Sequence, residues 1–190
     1  VRAGDTAAFT ASAQIANIFS RVTGGSPSKI FGTVTAPANL FFINPYGVMF
    51  GPTAEVNVTG SFFATTADSI EFGSAGHFYA SPSRSSVLSV AAPTAFGFLP
   101  GSHGDIRAAA GARLFGGGGL ALVGGAAKIG PQMQLSAIGA GMSNVTTDAA
   151  LTSPGDQIFI TGNEVRIGSP ARLDTSDFFR GGNVSVNGAY

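Results

Sequence analysis

The side chains that could carry out acid–base chemistry are few in this sequence, and they lie far apart. The chain has 10 acidic residues, and the two aspartates closest to each other are Asp174 and Asp177. A polysaccharide lyase or hydrolase needs clustered carboxylates, or an arginine and a lysine beside bound calcium. The sequence shows no such cluster, so we expect no catalytic residues and no enzyme. Acidic residues distant in sequence can still meet on a folded surface, which leaves a carbohydrate-active enzyme as an alternative.

Metal and cofactor sites have equally little support. His77 and His103 stand alone, without the spacing of metal ligands, and a polar role on the surface or in a loop suits both. The chain has no cysteine, which excludes disulfides, thiolate nucleophiles and cysteine-based metal sites. The glycines at 116–119 are not followed by the Gly-Lys-Ser/Thr of a phosphate-binding loop. We therefore expect no metal and no cofactor.

The composition indicates a β-rich protein without a nucleic-acid partner. Only 11% of the residues are charged, and the 10 basic residues balance the 10 acidic ones. Because no basic stripe exists, nucleic acid is not an expected partner. Glycine accounts for 28 of the 190 residues, and tryptophan is absent. Small residues, few charges and many turns are typical of stacked β architectures rather than helical bundles.

The length of 190 residues predicts a single domain over residues 1–190. No apolar stretch is long enough to span a membrane as a helix. Residues 1–5 do not have the basic start and apolar run of a signal peptide.

The most distinctive stretch joins two apolar runs, residues 39–43 and 48–50, through a four-residue turn. Asn44, Pro45, Tyr46 and Gly47 occupy positions i to i+3 of that turn. Asparagine at i, proline at i+1 and glycine at i+3 match a type I turn, because Asn bonds back to the chain and Pro presets φ. The aromatic and branched flanks are typical of buried strands. We name residues 44–47 the Asn44 turn.

Short strands joined by tight turns are predicted around this stretch. Alternating patterns predict strands at residues 29–35, 54–58 and 61–66, and a short strand fits residues 6–10. Ile15, Ile18, Phe19 and Val22 have helical spacing. The turn that follows directly at Gly24 nevertheless favours a strand there. Residues 68–100 are less regular; we expect strands and longer loops outside the regular stack, with a short strand at 87–90.

A loose repeat of about twenty residues begins at Gly104, within the range of solenoid repeats. Each repeat unit contains a glycine, a polar residue, an apolar–x–apolar step, a second glycine and two further short apolar steps. Residues 139–154 interrupt this repeat, and we interpret them as an inserted loop. One round cannot bury its own apolar face, so the rounds must stack on one another. Since the sequence stops within a repeat unit at Tyr190, we expect a fragment of a longer protein.

Four blocks of sequence carry a resemblance to a known family. They lie at residues 17–25, 40–48, 50–54 and 60–66, in the order and spacing of the N-terminal two-partner-secretion, or haemagglutination activity, domain of filamentous-haemagglutinin-type exoproteins. The centre of that family's motif is Asn-Pro-Asn-Gly-Ile. In this chain Tyr46 replaces the second asparagine and Val48 replaces isoleucine. The family's other short motif, Asn-Pro-Asn-Leu, has no clear match.

The resemblance implies an all-β fold, a right-handed parallel β-helix with extra-helical strands. It also implies export: a partner outer-membrane transporter would recognise the domain through periplasmic POTRA domains, and the domain would nucleate β-helix folding outside the cell. The expected location is therefore the exterior or surface of a Gram-negative-type bacterium, reached through the periplasm. The resemblance further implies that the signal peptide was removed and that the first strands of the domain are missing from this chain.

The resemblance transfers the secretion motif to Asn44, Pro45, Tyr46, Gly47 and Val48. These residues either contact the partner or form the turn, and turn chemistry explains every position except Tyr46. An adhesin that binds cell surfaces is an alternative function, although such activity usually lies downstream of this domain in the family. The sequence leaves the oligomeric state open.

Overall fold

The computed structural model describes residues 1–89, 91–128, 136–142, 145–147, 149–152, 158–162, 165–169, 171–175 and 184–188. These residues form β-strands, turns and one short 3-10 helix at Gly73–Ala75, with no α-helix among them. The predicted all-β class is confirmed. No helix in these ranges is long and apolar enough to cross a membrane. The assignment of residues 1–190 to a single domain stays a prediction.

Within the described ranges, successive rounds of the chain stack their strands into three parallel sheets. Sheet A consists of β1 (Thr6–Ala8), β4 (Thr33–Ala36), β7 (Glu55–Val58), β13 (Arg113–Gly116), β17 (Ala150–Thr152) and β20 (Arg172–Asp174). Sheet B consists of β2 (Asn17–Arg21), β5 (Asn39–Ile43), β8 (Phe62–Thr65), β14 (Leu120–Lys128), β18 (Ile158–Gly162) and β21 (Val184–Gly188). Sheet C consists of β3 (Ser28–Ile30), β6 (Val48–Phe50), β12 (Ile106–Ala108), β16 (Val145–Thr147) and β19 (Val165–Ile167).

The register shows the solenoid repeat directly. Asn17 pairs with Asn39, 22 residues further along, and Val34 pairs with Val56 at the same separation. Beyond Gly104, where the repeat of about twenty residues was predicted, Val145 pairs with Val165 and Leu151 pairs with Leu173, at separations of 20 and 22 residues. The parallel stacking confirms the predicted parallel β-helix. The right-handed winding stays a prediction from the resemblance.

The main core fills the space between the three sheets. Because side chains alternate along a strand, every second residue points inward. Leu40, Val48 and Val56 are 0%, 1% and 1% exposed, one from each sheet, and they belong to a single buried cluster. Each round thus buries its apolar side chains against the rounds above and below it.

A second core lies on the outer face of sheet B. Phe41 and Ile43 point outward from β5, yet they are only 2% and 0% exposed. They are covered by an extra-helical sheet that the chain builds between β8 and β12. Its strands are β9 (Ser69–Glu71), β10 (His77–Tyr79) and β11 (Ala95–Ser102), joined by β15 (Ser136–Met142). The predicted extra-helical strands are therefore confirmed. We name residues 66–105 the excursion.

Three local predictions were wrong. Residues 29–35 do not form one strand: β3 ends at Ile30 in sheet C and β4 begins at Thr33 in sheet A, so the chain changes sheet at residues 31 and 32. The inserted loop predicted at residues 139–154 is wrong at 145–147 and 150–152, where β16 and β17 stack into sheets C and A; Val145 and Leu151 are 0% exposed. These strands have three residues each, too few to show alternation. An insertion does overlap the start of that range, where β15 (Ser136–Met142) pairs antiparallel with the end of β14. At 87–90, residues 87–89 form no strand, and Val90 lies outside the described residues.

At residues 15–22 the strand prediction was correct and the helical spacing was misleading. The chain forms β2 there and pairs parallel with β5. Ile18 faces the main core and Phe19 faces the second core, so apolar side chains are needed on both faces of this strand.

Candidate functional site: the Asn44 turn

The Asn44 turn connects β5 in sheet B to β6 in sheet C and contains a hydrogen bond of its own backbone. Gly47 N–H donates to Asn44 C=O at 3.0 Å, the bond expected between positions i and i+3. Gly47 has φ +113°, a conformation that residues with a Cβ rarely adopt. Glycine is therefore required at this position.

Asn44 is a fully buried polar residue whose hydrogen-bonding groups all have partners. Its side chain is 0% exposed. Oδ1 accepts Tyr46 N–H at 3.0 Å, and Nδ2 donates to Ser26 C=O at 3.0 Å and to Ser28 Oγ at 2.9 Å. Its backbone N–H donates to Thr65 C=O at 2.9 Å. A side-chain amide can be buried at low cost only when its donors and its acceptor are hydrogen-bonded in this way.

These bonds make Asn44 a link between three successive rounds. Ser26 and Ser28 belong to the round before it, and Thr65 belongs to the round after it. An alanine at 44 would keep the backbone bond to Thr65 but leave Ser26 C=O, Ser28 Oγ and Tyr46 N–H without this partner, and each unpaired buried group costs more than a neutral hydrogen bond contributes.

The backbone of the Asn44 turn also packs against the end of the excursion. Gly104 N–H donates to Pro45 C=O at 2.8 Å, and Val48 N–H donates to Asp105 C=O at 3.0 Å. On the opposite side, Ser28 N–H donates to Gly47 C=O at 2.9 Å. The turn is therefore held from both neighbouring rounds by main-chain bonds.

The five predicted motif residues lie together but differ sharply in exposure. Val48 is 1% exposed and belongs to the main core, and Asn44 and Gly47 are buried. Pro45 is half-buried, while Tyr46 is 53% exposed. In the folded domain, Tyr46 is thus the motif side chain that a partner could reach most easily.

Pro45 and Tyr46 line a cleft of about 170 Å³. Residues of the excursion also line it, among them Asp68, Arg84 and Leu99. Leu99 is 49% exposed. The cleft therefore lies where the Asn44 turn meets the extra-helical sheet.

A histidine–aspartate pair beside this cleft joins the two ends of the excursion. This pair was not predicted from the sequence. His103 Nε2 lies 2.7 Å from Asp68 Oδ2, with side-chain exposures of 6% and 23%. Asp68 Oδ2 also accepts Leu99 N–H at 2.7 Å. No sequence signal identified the pair, because 35 residues separate the partners. His103 lies in a loop as expected, but its ring is buried rather than on the surface.

The remaining chemical candidates do not converge on a reactive site. His77 Nδ1 is 3.7 Å from Glu71 Oε1, with the histidine side chain 42% exposed. Asp174 bonds to Arg172 at 2.8 Å, and Asp177 lies outside the described residues. In the part of the chain that the structure describes, no three histidine, aspartate or glutamate residues are placed to share a metal ion.

Comparison with known proteins identifies the family. The model of the TPS secretion domain matches residues 1–188. This chain belongs to the TPS secretion domain family. The resemblance seen in the four sequence blocks is thus confirmed over nearly the whole chain. TPS exoproteins are secreted through the periplasm of Gram-negative bacteria with the help of a TPS-B outer-membrane transporter, so this TPS domain is part of a two-partner-secretion exoprotein.

A relative of this TPS domain is the heme/hemopexin-binding protein of Haemophilus influenzae. The two are 48% identical over 50 residues, which is 26% of this chain and 5% of the relative. The chain therefore corresponds to a small part of that protein. No solved structure matches the chain.

Proposed function

We propose that this TPS domain is the export signal of its exoprotein. A TPS-B transporter recognises it in the periplasm through POTRA domains, and the domain nucleates β-helix folding once it is outside. The observation that carries the proposal is that the fold uses every hydrogen-bonding group of the Asn44 side chain, while the Asn44 backbone N–H bonds to the following round.

Recognition precedes folding in this proposal. Asn44 and Gly47 are buried in the folded domain, so a transporter reaches them only in an extended chain. An extended segment can pair with a strand at the edge of a POTRA domain, and main-chain hydrogen bonds then form between the two chains. The low charge of the chain, 11% of residues, favours such pairing because little like-charge repulsion opposes it.

Folding outside the cell then favours forward movement. Each round buries apolar side chains only against its neighbours, so a stack grows from rounds already formed. The early rounds also carry the second core, where Phe41 and Phe63 are 2% and 4% exposed. Burial of this surface stabilises the exported part and opposes its return.

The motif acts mainly as a turn in this proposal. Asn44, Gly47 and Val48 contribute through buried contacts, and Pro45 presets the backbone. Tyr46 removes an amide that the family's usual asparagine would present. Contact between the motif's side chains and the transporter is therefore not needed to explain the residues that this chain retains.

A catalytic role is not part of the proposal. The ring of His103 is 6% exposed and its Nε2 faces Asp68, which suits a structural bond better than proton transfer to a substrate. The proposal likewise includes no cofactor and no nucleic-acid partner, since the chain lacks a basic stripe.

Secretion with and without the cognate transporter tests this function. Wild type, Asn44→Ala and Pro45→Ala are expressed in a host with both components, and each purified variant is checked by circular dichroism. Asn57→Ala is the matched control, because Asn57 is exposed on sheet A. We expect transporter-dependent release of wild type and the control, with both motif variants retained and misfolded. Variants that fold normally but stay inside would show direct recognition, and wild type that is not released would overturn the export function.

A further inference from the structure

Gly104 is distant from the Asn44 turn in sequence but packs directly on its backbone. Gly104 N–H bonds to Pro45 C=O at 2.8 Å. A Cβ at position 104 would clash with the carbonyl group of Tyr46. The backbone angle of Gly104 is one that other residues adopt, so glycine is required for close approach alone.

Two main-chain groups of the motif find their partners only at the end of the excursion. Pro45 C=O is bonded by Gly104 N–H, and Val48 N–H is bonded to Asp105 C=O at 3.0 Å. By contrast, the bond between Gly47 N–H and Asn44 C=O forms within the turn itself. The local turn can therefore form early, whereas Pro45 C=O and Val48 N–H become hydrogen-bonded only when residues 104 and 105 reach them.

We infer that Gly104 is a positioning residue of the secretion motif, and that it closes the Asn44 turn only after the excursion has folded. This inference rests on the proposed function for its link to export. Before closure, Pro45 C=O and Val48 N–H are free to pair with a strand of the transporter. After closure both groups are occupied, so closure and pairing through these groups exclude each other.

The bonds around Asp68 support this order of folding. Asp68 lies near the start of the excursion, and its carboxylate bonds to Leu99 N–H and to His103 near the end. These contacts bring residues 99–103 back to the stack and place Gly104 over the turn. Closing so long a segment costs chain entropy that local turn formation does not.

Refolding of the full chain, followed by pulse-labelled hydrogen exchange and NMR, tests the order without any transporter. We expect the amides of Val48 and Gly104 to become protected together, in the same phase as Leu99. The amide of Gly47 is expected to be protected no later than these. Protection of Val48 before Gly104 would overturn the inference.

A pair of glycine variants tests the close approach. Gly104→Ala introduces the clash with Tyr46, whereas Gly24→Ala adds a methyl group in open space at an ordinary backbone angle. In Gly104→Ala we expect the Val48 amide to exchange at least about tenfold faster, with the amides of β18 unchanged. Gly24→Ala is expected to exchange like wild type. Unchanged Val48 protection in Gly104→Ala would contradict the inference; if that variant does not fold, the wild-type refolding order decides.

Secretion of the same two variants separates the inference from the proposed function. We expect the transporter to release Gly24→Ala like wild type and Gly104→Ala in a clearly reduced amount. Full release of Gly104→Ala despite an open turn would overturn the link between closure and export. If wild type itself is not released, the proposed function fails, while the refolding result still tests closure on its own.

Discussion

The rings of Phe41 and Phe63 stack face to face on the outer side of sheet B, with centroids 4.3 Å apart and planes 6° apart. The two residues are partners in the register between β5 and β8. Phe19 continues the stack from β2 at 5.0 Å from Phe41. The ladder exists because three successive rounds place a phenylalanine at the same register position; the next round has Ala121 there.

Phe63→Ala is expected to destabilise the domain by about 3–5 kcal/mol, since it removes a buried ring and leaves a cavity in the second core. Urea unfolding followed by circular dichroism measures the change. Phe115→Ala is the control: Phe115 is half-buried on the outer face of sheet A, so a smaller loss is expected. Equal losses in both variants would show that the second core adds no special stability.

The strands near the Asn44 turn could be predicted from sequence because their signals are local. Val34 and Val56 alternate with polar residues, and turn residues bound each strand. The turn itself follows from the chemistry of Asn44, Pro45 and Gly47. The repeat length also follows from the recurrence of glycines and apolar steps.

The second core could not be predicted, because its contacts join residues from distant segments. Phe41 in β5 packs close to Phe96 from the excursion, with ring centroids 6.3 Å apart. Nothing around Phe96 indicates that partner, since the region has no regular period. The bond between Asp68 and His103 could not be predicted for the same reason. Nor could the packing of Gly104 against the Asn44 turn.

Asn44→Ala is expected to cost about 2–4 kcal/mol, because it removes three side-chain hydrogen bonds and leaves buried groups of neighbouring rounds unpaired. Urea unfolding measures the loss. Asn57→Ala, at an exposed position, is expected to change stability by less than about 0.5 kcal/mol. A loss of similar size at both positions would contradict the role of Asn44 as a link between rounds.

Asn44→Asp separates the two halves of the asparagine side chain. An aspartate can still accept the Tyr46 N–H, but it cannot donate to Ser26 C=O or Ser28 Oγ. Burial of its charge adds a further cost. We therefore expect Asn44→Asp to be at least as unstable as Asn44→Ala. A stability close to that of wild type would show that the bonds to Ser26 and Ser28 contribute little.

Asp68→Ala is expected to destabilise the domain by about 1–3 kcal/mol, because Leu99 N–H and the buried His103 ring lose their shared acceptor. Amide exchange should also accelerate at Val48, since the excursion then holds Gly104 less firmly. Glu71→Ala is the matched control. Its partner His77 is 42% exposed and 3.7 Å away, so a loss below about 1 kcal/mol is expected. Unchanged exchange at Val48 in Asp68→Ala would separate this bond from the Asn44 turn.

Tyr46→Asn restores the family's usual residue and tests whether the transporter reads this side chain. Because Tyr46 is 53% exposed, this substitution is expected to change the free energy of unfolding by less than about 0.5 kcal/mol. If the motif works as a turn, the amount released per hour by the cognate transporter should match wild type. Tyr46→Ala provides a second comparison without an amide. A change in release at unchanged stability, in either variant, would show that the side chain at 46 contacts the transporter and that turn formation alone does not explain the motif.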